Sequence, residues 1–207
     1  MKLILACFGL ITSFSGVYGS APAYVVIESL EVNGTGCPKG SVQRSISGDR
    51  RSFTLFFNEY LAEIGAGTSL RDQRKSCQIT VNLATPGGWR FAVSRFTYRG
   101  FADLDKGIEG SHDTNYYFQG EIDGGSFQHV MQGPRNFGFD FTDSVPTAEE
   151  VWSSCSQKRA LNIQTVMKLS NTNKAAFPNA SGAMGTDALD GTIGEQRWDI
   201  KWESCNP

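Results

Sequence analysis

Apolar side chains recur at every second position in stretch after stretch of this chain. Cys77, Ile79, Val81 and Leu83 fall on one face of an extended segment, with Ser76, Gln78, Thr80 and Asn82 on the other. A strand sends successive side chains to opposite sides of its sheet, so a period of two marks a strand with one buried face. The same stripe appears at Leu161, Ile163, Met167 and Leu169, at Trp198, Ile200 and Trp202, at Phe137, Phe139 and Phe141, and at Phe53, Leu55 and Phe57. Residues 24–32 and 116–122 also read as extended. So does 126–131, which follows Asp123-Gly124-Gly125, a turn signal because glycine tolerates positive φ. Over 89–101 the phase slips: Trp89, Phe91 and Val93 share one face, Phe96 and Tyr98 the other. Either a bulge near Ser94-Arg95 shifts the phase, or both faces are covered. No long window carries a helical period. Residues 147–152 suit a single helical turn with Thr147 as N-cap, and the polar stretch 170–194 reads as a long loop or an edge hairpin. Nine or ten short strands joined by glycine-rich turns predict an all-β chain, an antiparallel β-sandwich.

The first residues set the compartment. Lys2 precedes an apolar run over 3–11, then small residues reach a cleavage signal at Val17-Tyr18-Gly19, with Ala21-Pro22-Ala23 as a second candidate. The run is too short to span a bilayer of about 30 Å, so 1–19 is expected to be a signal peptide and 20–207 one secreted, extracellular domain without membrane insertion. Losing Lys2 moves the formal charge from −2 to −3, which gives no footprint for nucleic acid. Cys7 leaves with the leader. The four cysteines that remain, Cys37, Cys77, Cys155 and Cys205, read as two disulfides in an exported chain. Three pairings exist. Cys37–Cys77 with Cys155–Cys205 is favoured, because each then closes a moderate loop within one half of the chain. A zinc site is disfavoured, since there is no C-x-x-C pair and neither histidine is near a cysteine in sequence. Asn33-Gly34-Thr35 and Asn179-Ala180-Ser181 are N-glycosylation sequons in small-residue loops, so Asn33 and Asn179 are expected acceptors in a eukaryotic host.

Several strings, taken in order, resemble a family of small secreted proteins of unknown function found in fungi and bacteria, DUF4360. They are Cys37-Pro38-Lys39-Gly40-Ser41, Asp72-Gln73-Arg74-Lys75-Ser76-Cys77-Gln78, Tyr98-Arg99-Gly100 with Leu104-Asp105-Lys106-Gly107, Val151-Trp152-Ser153-Ser154-Cys155, and Trp202-Glu203-Ser204-Cys205. Gln73 and Ser76 stand where the family tends to have Asn, and Ser154 where it often has Pro. The resemblance covers about residues 25–205. It implies secretion, two disulfides and a β-rich fold, and it brings no activity with it.

The residues themselves offer no catalytic constellation. A nucleophilic triad needs a base beside its Ser or Cys, and only His112 and His129 are available. His129 is expected to pack against the sheet. His112, in Gly110-Ser111-His112-Asp113, is expected in a solvated loop. Asp103, Asp105, Glu109, Asp113 and Glu121 could supply the two carboxylates of a glycoside hydrolase, but carboxylates are common on any surface. Asp103, Asp105 and Glu109 lack the ligand spacing of a calcium loop, and Lys106 would repel the ion, so neither a metal nor a cofactor is expected. Arg71, Arg74 and Lys75 form a short basic patch. Trp89, beside Pro86-Gly87-Gly88, is the aromatic most expected at the surface. These residues are the candidate binding surface of a non-enzymatic module that recognises polysaccharide or an extracellular protein. The alternatives are a carbohydrate-active hydrolase and a structural wall component.

Overall fold

A computed structural model describes residues 21–186 and 194–205; the leader expected over 1–19 lies outside them. Among the described residues the strands are β1 (Val26–Asn33), β2 (Val42–Ile46), β3 (Ser52–Phe57), β4 (Leu61–Ile64), β5 (Arg74–Ala84), β6 (Trp89–Leu104), β7 (Ile108–Phe118), β8 (Gly124–Gln132), β9 (Arg135–Ser144), β10 (Leu161–Asn171), β11 (Gly182–Gly185) and β12 (Glu195–Ser204). They form an antiparallel β-sandwich. One sheet has the order β1-β5-β10-β7-β8. The other has β2-β3-β12-β6-β11-β4, with β9 paired to the free side of β6. The inward stripes of the sequence meet between the two layers, where Phe53, Phe96, Tyr98, Phe118 and Trp198 are buried. Phe96 lies edge-on to Trp198 at 4.2 Å between ring centroids, the T-shaped arrangement that aromatic pairs favour.

The 16-residue β6 organises the second sheet. Its phase slip is a bulge: Arg95 opposes Asp199 while Val93 opposes Ile200, so Ser94 is the extra residue. Ser94 then uses its carbonyl elsewhere, accepting a 2.9 Å bond from the backbone N–H of Val145. That bond fixes the start of the segment leaving β9.

Four local expectations change. His112 is not in a solvated loop. It lies in β7, which is paired on both sides, and is 1% exposed. Gly110, His112, Thr114 and Tyr116 alternate inward, and because the first three are small or polar the stripe does not look like a core stripe. The His112 ring packs edge-on against Tyr98, 4.6 Å between centroids, neither ring nitrogen has a hydrogen-bond partner, and burial pulls its pKa down to about 3. Secondly, Gly124 and Gly125 are strand residues paired with Tyr117 and Tyr116; the turn is earlier, with Gly120 at φ 81°. A Cβ on Gly125 would come within 2.2 Å of the Tyr116 ring, so that glycine serves close approach and not a turn. Thirdly, the only helical turn among the described residues is a 3-10 turn at Thr147–Glu149, preceded by Pro146 and without a side-chain cap. Lastly, 170–194 is not only loop. It contains β11, inserted between β4 and β6, and 187–193 lie outside the described residues.

Both disulfides take the favoured pairing. Cys37–Cys77, with Cα atoms 5.4 Å apart, ties the loop after β1 to β5. Cys155–Cys205, at 5.8 Å, ties the segment between β9 and β10 to the end of β12. With partners 40 and 50 positions apart in sequence, the chain-entropy model assigns each about 4 kcal/mol.

Candidate binding cleft at the tryptophan-rich end

The segment that leaves β9 at the Ser94 bulge runs along one end of the sandwich and is stitched to β6 again further on. Trp152 bridges Ala92, Ser153 N–H donates to the Phe91 carbonyl at 2.8 Å, and the Ser153 hydroxyl accepts from Phe91 N–H at 2.9 Å. The opposite wall is the β7–β8 connection. Arg159 pins it, donating to the Gln119 carbonyl at 2.7 Å and lying 3.5 Å from Glu121. Gly120 makes room for that guanidinium, because a Cβ there would sit 2.2 Å from Arg159 Nη1.

Between the two walls is a cleft of about 570 Å³. Its aromatic surface comes from Tyr116, Phe127 and Trp152, and its acidic groups are Glu121, Asp123, Glu149 and Glu150. Glu121 faces Arg159, and Glu150, whose side chain is 2% exposed, is paired with Lys201. Asp123 and Glu149 have no ion-pair partner among the described residues. Tyr116 is 1% exposed, yet its hydroxyl meets no hydrogen-bond partner. Burial, and then the charges of Glu150 and Glu149, push that hydroxyl up to about 12, so it stays protonated and able to donate. A buried unpaired hydroxyl costs roughly 1–3 kcal/mol. Trp152 also borders a second cavity of about 330 Å³, which contains Trp202. The Arg90 guanidinium lies 4.9 Å from the Trp152 ring centroid. Chemically the cleft offers carboxylate acceptors and aromatic faces, and it suits a ligand that carries many hydroxyls.

A family model for a domain of unknown function, DUF4360, matches residues 23–205. The chain belongs to the DUF4360 family. A relative from Arthroderma benhamiae, described as an uncharacterized secreted protein, is 36% identical over 184 residues, covering 89% of this chain and 73% of its own length. This DUF4360 protein is accordingly secreted, and its two disulfides are consistent with an extracellular location. Among solved structures, TmCBM61 in complex with β-1,4-galactotriose aligns with 11% identity over 86% of this chain and 90% of that one, at a TM-score of 0.31. The enzymatically active domain of the bacteriophage CBA120 tailspike protein 4 aligns with 10% identity over 85% of this chain and 19% of that one, at 0.23. Both scores are too low to bear on what this DUF4360 protein binds.

The surface residues singled out from the DUF4360 sequence fall at two opposite ends. Trp89 is half-buried and lines a cavity of about 160 Å³ beside the Cys155 loop, at the cleft end. Asp103 is fourteen positions along β6, about 45 Å away at the rise of an extended strand. Asp105 accepts bonds from the Ser181 backbone N–H and hydroxyl at 2.8 and 2.9 Å, which hold its carboxyl below the usual range. Glu109 takes a bond from Gln132. Arg71, Arg74 and Lys75 lie at the same far end, where the Asp72 carbonyl accepts from Glu63 N–H and Lys75 is 3.3 Å from Asp72. Bonds from the Ser69 backbone and hydroxyl, then from Lys75, pull Asp72 down to about 2. Asn33 and Asn179 are both exposed. Sequence reasoning passed over Tyr116, Phe127 and Trp152 as part of a site. Only Trp152 carried a signal: an aromatic beside a pair of glutamates, in a segment without strand or helix period.

Proposed function

We propose that this protein is a secreted recognition module that binds polysaccharide in the cleft between the β7–β8 connection and residues 145–152. The observation that carries the reading is a cleft that sets the Phe127 and Trp152 rings beside two carboxylates, Asp123 and Glu149, without ion-pair partners among the described residues. Sugar hydroxyls would donate to Asp123 and Glu149, while Trp152 and Phe127 offer faces for the C–H side of a sugar ring. Neither histidine lines the cleft. His112 is sealed in the core, and His129 is engaged with Asp143 at 2.7 Å.

Retention on insoluble chitin, cellulose and β-1,3-glucan tests the reading. Wild-type protein is expected to be retained by at least one of them, and Trp152→Ala to lose tenfold or more in affinity. Arg71→Ala and Asp103→Asn, at the far end, are expected to bind as wild type. Retention unaffected by Trp152→Ala would remove the cleft from consideration. Release of soluble sugar that stops on Glu149→Gln would replace recognition with hydrolysis.

A further inference from the structure

The outward faces of the two sheets differ in chemistry. On the second sheet, charged side chains are taken up by one another: Arg99 with Asp140 and Glu195, Arg95 and Arg197 with Asp199. The first sheet presents an uncharged row. Asn33 is opposite Gln78, Gln78 opposite Gln164, Gln164 opposite Asn115 and Asn115 opposite Ser126, so one side chain from each of the five strands stands in line across the sheet. Asn33, Gln164, Asn115 and Ser126 are exposed and Gln78 is half-buried. None of the five side chains has a hydrogen-bond partner among the described residues. Their neighbours do. Thr80 donates to Asn162 at 2.9 Å in the row on one side, and Gln128 and Ser111 both bond Asp113 on the other. The row is therefore the one line across this face whose amides and hydroxyl remain unengaged, and it ends at Ser126, which also lines the cleft.

We propose that this row is a glycan-chain track continuous with the cleft, so that the protein holds an internal stretch of a long uncharged polysaccharide. The inference rests on the cleft reading above. The amides of Gln78, Gln164 and Asn115 each offer both donors and an acceptor, the combination that matches a sugar hydroxyl, which also does both, while Asn33, the expected glycosylation acceptor, marks the outer end of the row. With no charge in the row, an uncharged chain fits better than an anionic or cationic one. Four strand spacings make a span of about 19 Å, room for several consecutive sugar rings. Tyr117, 41% exposed, stands in the adjoining row opposite Gly124, whose missing side chain leaves the ring uncovered at the cleft end of the track.

Chain length separates the track from the cleft. Calorimetric titration would use matched disaccharides and octasaccharides of β-1,4-glucan, β-1,4-linked N-acetylglucosamine and β-1,3-glucan. The variants are the triple Gln78→Ala, Asn115→Ala, Gln164→Ala, and separately Tyr117→Ala and Trp152→Ala. For the series that binds, the triple variant is expected to match wild type on the disaccharide and to lose tenfold or more on the octasaccharide. Tyr117→Ala should fall in the same direction, and Trp152→Ala should lose both ligands. Octasaccharide affinity unchanged in both the triple variant and Tyr117→Ala would overturn the track and leave the cleft standing. Binding lost in the triple variant but kept in Trp152→Ala would overturn the cleft and leave the sheet face. No binding of any oligosaccharide by wild type would overturn both.

Discussion

His112 has a thermodynamic cost built into its place in β7. Neutral in the folded state because burial lowers its pKa to about 3, it can take up a proton near pH 6.5 once the chain unfolds. Protons therefore favour the unfolded state between those values. Its contribution is intact above pH 6.5 and lost progressively toward pH 3, at about 1.4 kcal/mol per pH unit. Urea denaturation from pH 7 down to pH 4 should show that slope in wild type and a shallower one in His112→Phe, whatever the variant's absolute stability. Gly125 makes a second residue-level prediction. Alanine there meets the Tyr116 ring and should cost about 1–3 kcal/mol by overpacking, with cleft binding weakened too. Gly48→Ala, which meets nothing within 4 Å, should change the urea midpoint little. Neither His112 nor Gly125 was legible in the sequence, for the same reason. A histidine between serine and aspartate, and a glycine pair after an aspartate, each have a local explanation as loop and turn. Only the strand pairing reveals otherwise, on both sides for His112 and with Tyr116 for Gly125.

Among the elements, strands were legible wherever large apolar residues alternate, as in β5, β10 and β12. They were hidden where the inward positions are small, as in Gly110 to Thr114 of β7 or the short β11. The bulge in β6 was legible because Phe96 and Tyr98 break the phase of Trp89, Phe91 and Val93 so sharply. The 145–159 segment was not, since its shape comes from bonds to β6 and from the disulfide to β12, none of them a property of its own residues. Cys155–Cys205 is thus the long-range fastening of the cleft's second wall. Replacing both cysteines by serine should lower stability by about 4 kcal/mol and, at temperatures where the chain stays folded, raise hydrogen exchange in 145–159 above that in β5 or β10, as followed by mass spectrometry.

For the molecule as a whole, fold class, disulfide pairing and export followed from pattern and cysteine count. The site did not, because it depends on which ends of the strands come together. Trp89 and Asp103 share one strand and still lie at opposite poles, so a surface assembled from both was never available. The tryptophans are also unevenly placed. Of the four in the chain, Trp198 is fully buried between the sheets, while Trp89, Trp152 and Trp202 are half-buried at the cleft end. The protein consequently carries its own optical probe. Under excitation of indole, acrylamide should quench the three polar-end emitters and spare the red-edge-poor, shielded fourth. A ligand settling over Trp152 would register as protection of the quenchable fraction alone, with no label attached and no change in the emission that reports the core.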